Sequence, residues 1–147
     1  MRTFKLLLFI VIFSFSNNLS AQDEDYYAFM GASKADILKV NSSQKRIING
    51  EYYELGFSMS YDTNFHYYFD ENLLCYRIII QKGLKDFENS RLILSGDFPN
   101  QGEGNGIYFF WNSRMMATLV KMENSIVIAY EKINPELIKS KCYKCKI

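Results

Sequence analysis

An α+β fold, in which a mainly antiparallel meander sheet carries two helices packed on one face, is predicted by three features of this 147-residue sequence. Residues 47–81 alternate apolar and polar side chains with period two and are broken by turn residues. Two segments, near 34–42 and 83–96, carry helix signals, each ahead of a run of strands. Residues 115–121 and 125–132 form a further hairpin pattern turning at Glu123-Asn124.

The meander carries the clearest signal. Leu55, Phe57, Met59 and Tyr61 alternate with Gly56, Ser58 and Ser60, which reads as a strand with one buried face. Phe65, Tyr67 and Phe69 repeat the pattern, with His66 and Tyr68 on the other side. Ile78-Ile79-Ile80 is a β-branched run suited to a more deeply buried strand. Asn49-Gly50 is a two-residue hairpin signal, since both residue types tolerate positive φ. Asp62-Thr63-Asn64 and Asp70-Glu71-Asn72 are polar connections of hairpin length. Strands are therefore expected at about 45–48, 51–61, 65–70 and 73–81.

The first helix is predicted over 34–42. Ser33, with Asp36 three residues on, forms a capping-box pattern, and Ile37, Leu38 and Val40 supply the apolar side. The second spans 83–96, with Leu84, Phe87, Arg91 and Leu94 at helical spacing and Gly96 as its stop. Residues 97–106, DFPNQGEGNG, read as a loop, and residues 107–111 as a strand. Asn134-Pro135-Glu136 opens a short C-terminal helix, and the tail ends CYKCKI. Asn49-Gly50-Glu51-Tyr52-Tyr53 is echoed by Asn105-Gly106-Ile107-Tyr108-Phe109, which raises a second arrangement, two helix-plus-meander units.

Residues 1–21 read as a secretory signal peptide. Arg2 and Lys5 precede the apolar run LLLFIVIFSF, and Ser20-Ala21 end a polar segment. The apolar run is too short for an ordinary membrane-spanning helix, and no Cys follows it to take a lipid anchor. The ending Leu19-Ser20-Ala21-Gln22 resembles the leaders of Bacteroidetes-type envelope proteins. The expected product is one α+β domain, residues 22–147, in the periplasm or outside the cell, with no transmembrane segment after cleavage. The sequence has 17 Lys plus Arg and 16 Asp plus Glu; with Arg2 and Lys5 in the leader, the domain carries 15 against 16, a net charge of −1. Such a balance lacks the basic footprint of a nucleic-acid binder.

A helix opening G-x-S-K-x-x-I-L (Gly31, Ser33, Lys34, Ile37, Leu38) precedes a hairpin Y-x-F-D-E-N-x-x-C (Tyr67, Phe69, Asp70, Glu71, Asn72, Cys75). Together, over residues 29–81, they resemble the small secreted α+β proteins of the β-lactamase-inhibitor-protein-like and outer-membrane-assembly-lipoprotein-like group. The resemblance implies a helix against one face of an antiparallel sheet, and a binding or assembly role in place of catalysis. It carries no functional residue over to this chain. The lipobox Cys of the lipoprotein members is absent.

Few residues offer reactive chemistry. His66 is the single histidine, so a multi-histidine metal site is excluded and any hydrolytic centre would have to use it. Cys75, Cys142 and Cys145 are an odd set. Cys142 and Cys145 form C-x-x-C behind a helix, where no helix N-terminus lowers a thiol pKa, so the expected role is a structural disulfide, either within this pair or to Cys75. Residues 102–106, GEGNG, precede a strand, which withholds the helix N-terminus that a phosphate loop needs. No cofactor or metal is expected. Aromatic residues are 16% of the chain. The candidate recognition surface is a sheet face bearing Tyr53, Tyr61, Tyr68 and Trp111 together with residues 97–106, and the expected partner is an envelope or extracellular protein.

Overall fold

The computed structural model describes residues 26–49, 54–60, 62–142 and 145. The segment read as a leader (1–21), Tyr53, Tyr61 and Gly50, expected in a hairpin turn, lie outside the described residues. One eight-stranded sheet, wholly antiparallel, forms the body: β1 (Lys45–Asn49), β2 (Glu54–Ser60), β3 (Thr63–Phe69), β4 (Cys75–Gly83), β5 (Asn100–Gly104), β6 (Ile107–Trp111), β7 (Met115–Lys121) and β8 (Ser125–Lys132). Helix α1 (Lys34–Val40) precedes β1, α2 (Phe87–Asp97) precedes β5, and α3 (Pro135–Lys141) follows β8. The strand order is β1-β2-β3-β4-β8-β7-β6-β5.

Because strand side chains alternate in facing and antiparallel partners share a face, the register sorts every residue. One face stacks Leu55 and Phe57 on Tyr67 and Phe65, these on Ile78 and Ile80, and these on Tyr130 and Ile128. All eight belong to the main core cluster, with Ile37 of α1 and Leu94 of α2. The expected apolar alternation falls on the core side at Leu55, Phe57, Phe65, Tyr67 and Phe69. Met59, expected on the buried face, is instead 39% exposed where the β2–β3 register shifts between Ser58 and Ser60. Val40 does not join the core: α1 ends there and leaves it 62% exposed.

Ser33 caps α1: its Oγ accepts from the Asp36 N–H at 3.1 Å, and its hydroxyl donates to Asp36 Oδ2 at 2.6 Å. The segment entering α1 is tied to the β3–β4 hairpin. Gly31 N–H donates to the Cys75 carbonyl (2.7 Å), Cys75 N–H to that of Ala32 (2.9 Å), and Lys34 N–H to that of Leu73 (3.0 Å). Both halves of the motif quoted above thus meet in space. Asp70 holds the turn by accepting from Asn72 and Leu74 N–H on one oxygen, which carries Leu73 to φ +59°.

Residues 97–106, read as a loop, contain strand β5. Its sequence NQGEG lacks β-forming side chains, yet it pairs along its length with β6. Asn105 (φ +53°) and Gly106 (φ +76°) make the tight turn between them. The glycines serve the tail. A β-carbon on Gly102 would collide with Cys145 Sγ and stand 2.6 Å from Cys142 Sγ, and one on Gly104 would strike the Lys141 carbonyl. Helix α2 runs past its expected stop at Gly96 to Asp97, since nothing at Gly96 demands the left-handed region. It begins at Phe87, after a 3-10 turn over Leu84–Asp86. Asn134 caps α3 by accepting from Leu137 N–H at 3.1 Å.

Gly104→Ala is expected to destabilise the fold by about 1–3 kcal/mol, because the α3 backbone cannot yield as a flexible side chain would. Gly96→Ala is expected to stabilise it by about 0.5–1 kcal/mol, since it fills open space in a helix. Urea unfolding of both variants checks the pair; equal signs would refute the placement of the tail on β5.

Candidate binding face

The second face of the sheet is divided. Over β6 and β7 it is covered: Phe109, Trp111 and Met116 form a separate cluster with Ile138 of α3 and with Cys142. Cys142 and Cys145 are joined in a disulfide, their Cα atoms 5.6 Å apart, and Cys142 Sγ lies 3.5 Å from the Glu103 carbonyl oxygen. Over β2, β3, β4 and β8 it is not covered in this way. Glu54, Ser58, Asn64, His66, Tyr68, Arg77, Ile79, Ala129 and Glu131 are all half-buried, and among the described residues of this part only Gly56 is buried.

A single cross-strand row crosses this region. Glu54 stands opposite Tyr68, Tyr68 opposite Arg77, and Arg77 opposite Glu131. Arg77 donates from Nε (3.1 Å) and Nη2 (2.7 Å) to Glu131 Oε2. That partner raises the guanidinium pKa above its ordinary value. The Arg77 guanidinium also lies 5.8 Å from the centre of the Tyr76 ring, which is 46% exposed. Burial raises the Tyr68 phenol, and its hydrogen bond with Glu54 raises it further. His66 Nδ1 stands 3.4 Å from Glu54 Oε1. The row therefore consists of paired, laterally braced charges with an aromatic ring between them.

Of the four aromatic residues expected to form a recognition surface, Tyr68 lies on this open region. Trp111 occupies the same row, beyond Glu131 and Met116, but under α3 at 4% exposure, so it is a core residue. Tyr53 and Tyr61 lie outside the described residues. Glu54, Arg77 and Glu131 are the members that sequence reading missed. Their alternation in each strand was visible, but their meeting depends on the β4–β8 register.

The pairing of the cysteines is resolved between Cys142 and Cys145, leaving Cys75 free and 2% exposed. Burial pushes the Cys75 thiol up to about 11. His66 faces Gly56 and Ile79 across its strands. Among the described residues, no group of three His, Cys, Asp or Glu is placed to hold a metal ion. No described helix is long and apolar enough to cross a membrane. No family model, curated protein or solved structure matches the chain.

An unfolded thiol titrates near ~8.5, well below the folded value. Between the two, the unfolded chain releases a proton that the folded chain keeps, so rising pH favours unfolding. The contribution of Cys75 is whole below about pH 8.5 and is lost as pH climbs toward 11. Cys75→Ala is expected to flatten the alkaline fall in the urea midpoint, and the native thiol should resist a thiol reagent that labels it in urea. Rapid labelling of the native chain would contradict this.

Proposed function

We propose that this chain is a non-catalytic binding module that acts in the periplasm or outside the cell and engages an envelope or extracellular protein through the open part of its sheet. The observation that carries this reading is the Glu54–Tyr68–Arg77–Glu131 row. Tyr and Arg are the residue types that most often dominate protein interfaces. Here their side chains are held by lateral partners, so docking costs less rotamer freedom than on an unbraced surface. Ile79 and Ala129 lie in the adjoining row and add apolar area beside the charged pair. The charges of Arg77 and Glu131 balance each other, which leaves Glu54, beside His66 of the adjoining row, as the part of the row best suited to meet a basic side chain of the partner.

The leader over residues 1–21 supports a location beyond the inner membrane, and the resemblance over residues 29–81 points toward recognition or assembly. The architecture is read as two helix-plus-meander units side by side, α1 with β1–β4 and α2 with β5–β8. The element order supports that reading, as does the recurrence of an Asn-Gly pair whose asparagine ends β1 (Asn49) and follows β5 (Asn105).

A photo-crosslinking residue placed at position 68, with a control at position 92 on the exposed side of α2, tests the proposal in the native host. The expected result is a discrete protein adduct from position 68, lost when Arg77→Ala is added, with none from position 92. Adducts from both positions, or from neither, would refute the face. An adduct that fractionates with the outer membrane would assign the module to envelope assembly.

A further inference from the structure

We propose that a groove between α2 and strands β5 and β6, on the sheet face opposite Tyr68, binds a neutral saccharide. This inference is independent of the open-face reading, because the two surfaces are separated by the thickness of the sheet.

Two adjoining cavities of about 350 and 420 Å³ share Arg91 and Gln101. Each falls within the size range of small-molecule sites, roughly 300–1,000 Å³. The first has half-buried Tyr108 in its lining beside Phe110, a core residue 2% exposed, with Glu103 exposed at its rim. The second is walled by Glu88, Asn89 and Ser95 of α2. The register places Gln101 and Glu103 on the same face as Phe110 and Tyr108. A half-buried tyrosine with polar side chains around it suits a ring whose faces are apolar and whose edge carries hydroxyls.

The rim supplies both halves of the hydrogen bonds that such hydroxyls make. Arg91 only donates, Glu103 only accepts, and Asn89 and Gln101 do both. Charge selects against ions. Arg91 is paired with Glu88 at 3.0 Å, and the linings of the two cavities carry both signs of charge, so neither an anion nor a cation is favoured. The walls are held in place: the Ser95 hydroxyl lies 3.0 Å from Gln101 Oε1 and joins α2 to β5, and Tyr108 meets Phe87 edge-on at 5.5 Å. A peptide strand added along β5 fits less well. The tail already lies against that strand, with Cys142 Sγ at the Glu103 carbonyl and the disulfide over Gly102. Two cavities sharing a wall favour a ligand longer than one ring.

Saturation-transfer NMR of the mature protein with a neutral glucan trimer, an N-acetylglucosamine trimer and a galacturonate trimer tests this. Transfer to at least one neutral trimer is expected, with little to the acidic one. Gln101→Ala, at an exposed position that leaves the fold intact, should weaken that binding by roughly tenfold, as should Tyr108→Ala. Tyr68→Ala should leave it unchanged. No transfer to either neutral trimer, preference for the galacturonate, or binding indifferent to both groove variants would overturn the proposal.

Discussion

The pairing of β4 with β8 is the contact on which the rest of this molecule depends. It brings Ile78 and Ile80 beside Tyr130 and Ile128, residues about fifty positions apart in the chain, and joins two four-stranded runs into one sheet. Contacts of such sequence separation carry a loop-closure cost that local hairpins do not. Burial offsets it on the core face, where these four side chains are 0–4% exposed. The same seven-residue ladder decides the other face, because the register that aligns Ile78 with Tyr130 also aligns Arg77 with Glu131. A shift by one residue would send the isoleucines outward and break the ion pair at once.

An open eight-stranded sheet leaves two edges that would template further pairing, and the chain treats them differently. On β1, Lys45 and Arg46 are exposed and the register with β2 slips between Arg46 and Ile48, so the edge is charged and irregular. On β5, protection comes from the chain's own end. Helix α3 and the Cys142–Cys145 disulfide settle over Gly102 and Gly104, which have no side chains to prevent the approach. That cover also buries Trp111 and Phe109. The disulfide closes only a three-residue step, so it shapes the tail without tethering it to the sheet. Packing against the glycines provides the hold.

The two proposed recognition surfaces differ in kind for a physical reason. The open sheet region is broad and half-buried, with its charges matched laterally, as suits a large partner that brings its own shape. The groove beside α2 is smaller, lined by side chains of one helix and the neighbouring hairpin. The first depends on long-range register, the second on the packing of one helix against its neighbouring hairpin.

Much of the fold was legible in the sequence because it rests on local chemistry. Period two in 54–60 and 63–69, the cap at Ser33, the turn at Asp70, the hairpin at 115–132 and Pro135 at a helix start are each decided within a few residues. The sequence by itself determined these elements and the poverty of reactive side chains, with one histidine and a C-x-x-C unsupported by a helix N-terminus. Only the tertiary structure decided that residues 100–104 form a strand, since NQGEG has no strand propensity and pairs only because β6 and the tail are there. It alone placed Trp111 under α3 and assembled Glu54, Tyr68, Arg77 and Glu131 into one row. Alternation tells each strand which side chains share a face, but which strand stands next to it is fixed by burial summed over the whole sheet.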